Sequence, residues 1–176
     1  HPIPRRQRQM CIRDRFNIMK KVFFLILLVF ADQISKYLIV QTLTLGETIN
    51  VLPFLDFYLI FNTGIAFSFF DEGGELGRWI LVFLVLLVCL YLVNVLISEK
   101  LRKYETFALL MILSGGLGNL IDRSLWGHVI DFIHLYYENY SLYIFNLADT
   151  FISIGVIIYI LDLLVIKLVS NANTTS

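Results

Sequence analysis

Four long blocks of apolar residues restrict what this chain can fold into. They run from Val22 to Val40, Trp79 to Ile97, Phe107 to Ile121 and Phe145 to Val169, with short polar stretches between them. A helix needs about 20 apolar residues to cross the hydrocarbon core of a bilayer. The block "WILVFLVLLVCLYLVNVLI" has no polar face to show water, which argues against a soluble helical bundle. The pattern predicts an all-α membrane protein with spans at about residues 22–43, 79–98, 105–121 and 144–169.

Charged residues are unevenly distributed along the chain, although the formal net charge is zero. The connections after the first and third blocks hold mainly acids. Bases precede the first block and fill the connection "SEKLRKYE" between the second and third, at Lys20, Lys21, Lys100, Arg102 and Lys103. Because bases mark cytoplasmic loops, we expect both termini in the cytoplasm and the two longer connections on the outer side. The balanced charge gives no indication of a nucleic-acid partner.

The first eighteen residues, "HPIPRRQRQMCIRDRFNI", differ from the rest of the chain. They hold five Arg and no periodic apolar pattern, whereas "MKKVFFLILLVF" from Met19 is typical of the start of a bacterial membrane protein. We expect residues 1–18 to be an extension added by cloning or by a misplaced gene start, and residues 19–176 to form one membrane-embedded domain. The continuation "ADQISKYLIV" offers no good cleavage site, so the first span is predicted to be retained.

The first outer connection has the character of a β-sheet. Its segment "TINVLPFLDFYLIFN" is dense in β-branched and aromatic residues, and Pro53 breaks any helix. We expect a small extracytoplasmic sheet there, followed by a turn at "DEGGE". The aromatics of "LYYENYSLY", in the second outer connection, suit the membrane interface. A loop or helix on the outer face completes the predicted fold.

Polar residues in and beside the apolar blocks need a partner or a function, because a charge at the centre of a span costs about 2.5–3.5 kcal/mol. Asp32 and Lys36, in "DQISK", are four residues apart on one helix face, which allows an ion pair that supports the helices. In "NTGIAFS", Asn62 offers a donor and an acceptor, and Gly64 permits close backbone approach.

Two further polar motifs lie near the third span. "SGGLGNLIDR" combines three glycines, which allow close approach of a helix or a bound peptide, with Asn119, Asp122 and Arg123. Asp122 is expected to be an ionised carboxylate held by a base or by backbone donors, which suits it to structural support. Next, "GHVIDF" places Asp131 among apolar neighbours just after the span.

The fourth span begins with "FNLAD", which carries Asn146 and Asp149 at its outer end. If the fold brings Asp131 beside Asp149, the two carboxylates cannot both ionise easily, so one holds a proton while the other accepts one. Such a pair is typical of the active site of an aspartic protease. His128 and His134 flank Asp131, and Cys11 and Cys89 are isolated, so no metal-ligand spacing is present and no metal is predicted.

The residues alone leave three functions open. They are an aspartic protease, a small proton- or cation-coupled transporter with a relay of buried charges, and a structural membrane subunit. A relay requires polar residues at several depths, whereas four of the five polar motifs lie toward the outer side and the second span has only Asn94. This distribution favours the protease.

Taken in order, "DQISK", "NTGIAFS", "SGGLGNLIDR", "GHVIDF" and "FNLAD" resemble the signature motifs of bacterial lipoprotein signal peptidase, also called signal peptidase II. The resemblance runs from Met19 to about Lys167. It implies a four-helix inner-membrane aspartic endopeptidase without cofactors, inhibited by globomycin-class antibiotics. Its substrates are prolipoproteins embedded among membrane lipids, cut just before a diacylglyceryl-modified Cys.

The same resemblance assigns a role to each polar residue. It implies that Asp131 and Asp149 are catalytic and that Asn62, Gly64, Asn119, Arg123 and Asn146 bind substrate. Asp32 and Lys36 would support the helices, as Asp122 is also expected to do.

Overall fold

The computed structural model describes residues 5–64, 75–138 and 140–174, and within them it contains four helices. These are α1 (Arg5–Thr42), α2 (Glu75–Ser98), α3 (Lys103–Trp126) and α4 (Leu147–Thr174). Each contains a stretch long and apolar enough to cross a membrane, which confirms the predicted four-helix architecture. Helix α3 continues to Trp126, beyond the predicted end at residue 121, because the polar side chains of "NLIDR" find partners inside the bundle.

Helix α1 begins at Arg5, within the segment that we expected to be an extension. This segment is rich in Arg and Gln and has neither Gly nor Pro between Arg5 and Ile18, so its composition favours a helix. The assignment of residues 1–18 to an extension stays a prediction.

A small antiparallel sheet occupies one end of the helix bundle. Its strands are β1 (Thr48–Leu52), β2 (Leu55–Asn62), β3 (Val129–Tyr137) and β4 (Tyr140–Phe145), paired in the order β1-β2-β3-β4. Strands β1 and β2 confirm the sheet predicted in the first outer connection. The second outer connection joins the same sheet as β3 and β4, because its β-branched and aromatic residues pair well along β2. The predicted "DEGGE" turn falls largely on residues 71–74, outside the described residues.

Helices α3 and α4 approach each other closely at small residues. A Cβ on Gly115 would lie 2.2 Å from the Ala148 carbonyl oxygen, and one on Gly155 would lie 2.7 Å from the Ala108 carbonyl oxygen. A side chain at either position would force the two backbones apart, so the predicted close approach at the glycines is confirmed. This packing brings the first turn of α4 against the polar end of α3.

Arg78 secures the same end of the bundle. Its guanidinium donates to the carbonyl oxygens of Arg123 (2.8 Å) and Ser124 (2.6 Å), in the last turn of α3. The positive charge compensates the negative end of the helix dipole and satisfies carbonyls that have no partner within the helix. Arg78 therefore helps to fix the direction in which the chain enters β3.

Candidate active site

Asp131 and Asp149 lie together where the sheet meets the helices. Asp131 is on β3 and Asp149 is in the first turn of α4, and Asn146 lies between them. The Asn146 side chain donates to Asp131 Oδ1 (2.6 Å), while its backbone N–H donates to Asp149 Oδ2 (3.4 Å). One residue thus bridges both carboxylates, and the fold brings the pair together as the sequence suggested.

Asn146 and Asp149 also cap the helix that carries them. The Asp149 backbone N–H donates to Asn146 Oδ1 (3.0 Å), and the Asp149 carboxylate accepts from the Asn146 N–H in return. This reciprocal arrangement is a capping box, which satisfies backbone donors that the first helical turn leaves without partners. A carboxylate at the start of an apolar span therefore stabilises the helix as well as facing Asp131.

Asp131 is the more deeply buried of the two carboxylates. Its residue is 2% exposed, whereas Asp149 is partly exposed. Burial raises the pKa of Asp131 from 3.8 to about 6, and the nearby Asp149 charge adds to the increase, while hydrogen bonds from Asn62 and Asn146 oppose it. This carboxyl can therefore hold a proton closer to neutral pH than an ordinary aspartate.

Asn62 reaches Asp131 from the neighbouring strand. The register places Ile60 opposite Asp131, and the Asn62 amide donates to Asp131 Oδ2 at 2.8 Å. The Gly64 N–H donates to Asn62 Oδ1 (2.9 Å), which turns the NH₂ end of the amide toward the carboxylate. Gly64 has φ +91°, a conformation that side chains rarely adopt. The rest of the "NTGIAFS" motif, residues 65–68, falls outside the described residues.

Asn119 connects Asp149 to the interior of the bundle. Its amide donates to Asp149 Oδ1 (2.8 Å), and its Oδ1 accepts from Asn146 (3.2 Å) and from Lys36 Nζ (3.1 Å). Asn119 is on α3 and is 7% exposed. Four of the sequence-predicted residues, Asn62, Asn119, Asn146 and Gly64, therefore hold or orient the two aspartates.

Asp32, Lys36 and Asp122 form a buried charge triad behind the aspartate pair. Lys36 Nζ lies 2.8 Å from Asp32 Oδ2 and 2.7 Å from Asp122 Oδ2, with all three residues almost fully buried. The predicted ion pair between Asp32 and Lys36 is confirmed. The base that holds Asp122 is Lys36 on α1, not the adjacent Arg123, and the Ile130 N–H also donates to Asp122 (3.3 Å).

The triad also reaches the start of α4. Asp32 Oδ1 accepts from the Ala148 N–H at 2.8 Å, another backbone donor of the first helical turn. A Cβ on Gly118 would lie 2.5 Å from Asp32 Oδ2, so only glycine at this position lets the carboxylate pass between α3 and α4. Asp32 therefore ties α1 to the helix that carries Asp149.

Comparisons with known proteins agree with this arrangement. The family model described as signal peptidase (SPase) II matches residues 24–165, which is most of the chain. The chain belongs to the signal peptidase II family.

Named relatives of this signal peptidase II family member cover most of its length. The lipoprotein signal peptidase of Cupriavidus pinatubonensis is 40% identical over 139 residues, covering 79% of each chain. That of Ectopseudomonas mendocina is 38% identical over 155 residues, covering 85% of this chain and 90% of the relative. A solved structure of a bacterial membrane enzyme at 1.9 Å resolution superimposes with a TM-score of 0.75 at 32% identity, covering 84% of this chain and 94% of that one.

Arg123 lies near the aspartates of the site but makes no hydrogen bond to their carboxylates among the described residues. Its charge interacts with Asp149, Asp131 and Asp122, yet its buried Nε has no hydrogen-bond partner within the described residues. A buried guanidinium donor of this kind is costly unless it is satisfied. Arg123 thus has a free donor beside the aspartate pair.

A cavity of about 440 Å³ opens beside Asp149. Most of its wall is apolar, and the hydroxyl residues Thr150 and Ser153 lie one turn apart on α4. The remaining lining residues are Tyr143, Phe145, Ile152 and Ile154. An apolar chain can therefore lie in this cavity of the signal peptidase II fold with a polar group next to Asp149.

Gln33 is a site residue that the sequence interpretation did not single out. Its amide donates to Asp122 Oδ1 (2.9 Å), Asp32 Oδ2 (3.1 Å) and the Gly118 carbonyl oxygen (3.2 Å). The sequence feature that could have identified Gln33 is a polar amide inside an apolar span, directly beside Asp32. The two flanking histidines have other partners: His128 packs against Phe61 with tilted rings whose centres are 4.2 Å apart, and His134 is hydrogen-bonded to Ser141.

Proposed function

We propose that this protein removes signal peptides from bacterial prolipoproteins as an aspartic endopeptidase, cleaving before the diacylglyceryl-modified Cys. The observation that carries the proposal is the pair Asp131 and Asp149, bridged by Asn146 where the membrane helices meet the sheet. The family and its relatives, which bear the name lipoprotein signal peptidase, support the same activity. The reaction needs two carboxyl groups in different protonation states, which this pair can supply.

Asp131 and Asp149 are the proposed catalytic residues. Asp149 is partly exposed beside the cavity, so as a carboxylate it can take a proton from a water molecule that attacks the scissile carbonyl carbon. Asp131, whose pKa is raised to about 6, can hold the proton that is donated to the carbonyl oxygen as it gains negative charge. The proton taken by Asp149 then passes to the leaving amine of the Cys as the peptide bond breaks. Asp131, now ionised, takes a proton back from a hydroxyl group on the same carbon as the new carboxylic acid forms, so both carboxyl groups return to their starting states.

Asn62, Gly64, Asn119, Arg123 and Asn146 are the proposed substrate-binding residues. The Nε of Arg123, which lacks a hydrogen-bond partner, supports binding of an acceptor oxygen of the lipidated peptide, either a neutral carbonyl oxygen or an anionic oxygen. The three asparagines already donate to the aspartates, which supports an additional role in orienting them. Asp32, Lys36 and Asp122 are proposed to support this arrangement from within the bundle.

The protein is a bacterial membrane protein, and we propose the orientation that its charges favour. Lys20, Lys21, Lys100 and Lys103 would face the cytoplasm together with both termini. The sheet and the aspartate pair are then at the outer face of the inner membrane, where prolipoproteins emerge. Membrane lipids would surround the spans, and globomycin-class inhibitors would compete for the same site. We propose no nucleic-acid partner.

A transporter is the less favoured alternative. The charged groups that a relay would use are bound to one another, since Lys36 forms ion pairs with both Asp32 and Asp122. On α2, Asn94 accepts a hydrogen bond from Ser98 of the same helix (3.2 Å) and not from a residue of the buried triad. No second polar layer is present among the described residues of α2.

The decisive experiment incubates purified protein in detergent with a diacylglyceryl-modified prolipoprotein. Loss of the signal peptide is followed by electrophoretic mobility, and the cleavage point is identified by mass spectrometry. Asp131→Asn and Asp149→Asn should each abolish cleavage, because an amide neither takes nor gives the required proton. Asp122→Asn should keep most of its turnover per folded molecule. If Asp122→Asn is folded and inactive while Asp131→Asn still cleaves, the catalytic pair is Asp122 with Asp149.

A further inference from the structure

Three amides surround the aspartate pair, and each is held in one orientation by a donor on its oxygen. For Asn62 the donor is the Gly64 N–H, and for Asn146 it is the Asp149 N–H. For Asn119 one donor is the Lys36 ammonium, which is the only charged side chain among these donors. An amide whose oxygen is held in this way must present its NH₂ group to the other side.

Lys36 has no acceptor capacity, so its contact with Asn119 determines which end of that amide is oxygen. Its three N–H groups match three acceptors: Asp32 Oδ2 at 2.8 Å, Asp122 Oδ2 at 2.7 Å and Asn119 Oδ1 at 3.1 Å. With its oxygen held there, Asn119 donates to Asp149 Oδ1 at 2.8 Å. The two carboxylates of the triad therefore hold Lys36 in a fixed place, and Lys36 in turn holds Asn119.

We propose that Lys36 is a positioning residue for the aspartate pair, acting through Asn119 to fix the orientation of the Asp149 carboxylate. The inference rests on the proposed peptidase activity and gives the buried triad a role beyond joining the helices. A buried ion pair is weak evidence for stability, because desolvation offsets much of the attraction between the charges. Positioning the amide that bonds to a reacting carboxylate is a more specific reason for an ammonium at this place.

The same geometry links Lys36 to the other aspartate. Asn146 Nδ2 donates both to Asn119 Oδ1 (3.2 Å) and to Asp131 Oδ1 (2.6 Å), so rotation of Asn119 would remove one of the two hydrogen bonds that orient this NH₂ group. The groups that face Asp131 come from every element around it: Asp149 on α4, Lys36 on α1, Arg123 on α3, and the amides of Asn62 and Asn146. The Lys36 charge lowers the pKa of Asp131, in opposition to burial.

The test must remove the ammonium without leaving an extra buried charge. Lys36→Met combined with Asp122→Asn keeps the net charge of the triad, and Asp122→Asn alone is the matched control. We expect the double variant to lose about 100-fold in kcat with little change in KM, as for a small displacement of a catalytic group. The alkaline limb of its pH–rate profile should move to higher pH, because the Lys36 charge no longer favours ionised Asp131, the proposed proton donor. The control keeps the ammonium and its contact with Asp32, so it should lose much less turnover than the double variant and keep its alkaline limb.

A second variant keeps the proposal testable if the first does not fold. Asn119→Leu is nearly isosteric, leaves Lys36 paired with both carboxylates and removes the N–H donated to Asp149. It should lose kcat to a similar extent, and adding it to the Lys36→Met/Asp122→Asn variant should cause little further loss, since the two changes break one chain of contacts.

Three results would overturn the inference: wild-type kcat and pH profile in the folded Lys36→Met/Asp122→Asn variant, wild-type turnover in Asn119→Leu, or fully additive losses. Failure of the wild-type protein to cleave the prolipoprotein would instead reject the proposed function.

Discussion

Replacing Asp131 by Asn should remove a pH-dependent loss of stability that comes from burying this carboxyl group. The pKa of Asp131 is raised from 3.8 to about 6 in the folded protein, and the difference corresponds to about 3 kcal/mol. Well below pH 3.8 the carboxyl is protonated in both the folded and the unfolded chain, and contributes nothing. As the pH rises toward 6 the unfolded chain ionises first, so the folded state loses stability, and above pH 6 the full loss is present.

Asp131→Asn has no such ionisation. Its NH₂ group must face either Asn62 or Asn146, which both donate to the native carboxylate, so the variant loses about one hydrogen bond at every pH. We therefore expect the variant to be less stable than the wild type at pH 4 and to improve relative to it by about 2.5 kcal/mol by pH 8. For a chain of this size the relative melting temperature should rise by about 5 to 10 °C.

The assay is thermal unfolding in detergent, followed by the fluorescence of Trp79 and Trp126 from pH 4 to pH 8. Ile133→Val on the same strand is the control, since a neutral change costs about 1 kcal/mol at every pH. A melting-temperature difference between Asp131→Asn and wild type that stays constant with pH would refute the claim that burial raises the pKa of Asp131.

Three further outcomes concern activity, and a fourth concerns stability. Cleavage should survive EDTA, because amide donors surround the aspartates and no group of three metal-ligating side chains occurs among the described residues; activity lost on chelation and restored by one metal would contradict this. The rate should fall at both acidic and alkaline extremes, since the pair works with one shared proton, and a flat profile in folded enzyme would argue against it. Asn62→Ala should lower kcat/KM by about tenfold through loss of its hydrogen bond to Asp131 while the protein still inserts; unchanged kinetics on a full-length prolipoprotein would exclude Asn62 from the site. Gly118→Ala should lower the melting temperature in detergent, because its Cβ would lie 2.5 Å from Asp32 Oδ2, and an unchanged melting temperature would show that Asp32 can move aside.

Most of the fold could be predicted from local patterns. An apolar block of about 20 residues has few alternatives to a membrane helix, and the dense β-branched residues around Pro53 indicated a strand region. The second outer connection was harder to interpret, because β3 becomes a strand by pairing with β2, which lies about 70 residues earlier in the chain. Pairing between distant segments leaves little trace in either segment alone.

The same distinction applies to the site. The types of the polar residues indicated a carboxylate pair, and the spacing of Asp32 and Lys36 predicted their contact. Contacts between helices could not be predicted: Lys36 with Asp122, or Asp32 with the Ala148 N–H, depends on how α1, α3 and α4 pack. Sequence order even suggested Arg123 as the partner of Asp122, since it is the adjacent residue. Adjacent residues on a helix point about 100° apart, so a base on another helix can be the nearer partner.

The capping of α4 has a consequence for how the enzyme is made. The first turn of α4 is completed by Asn146 and Asp149 from within and by Asp32 from α1, and the Asp32 contact closes only when the first and last helices have met. A chain still leaving the ribosome, or one whose last helix has not docked, has an unfinished helix end and no aligned carboxylates. With Asp131 and Asp149 as the proposed catalytic pair, we expect proteolysis to begin only once α1 and α4 have docked.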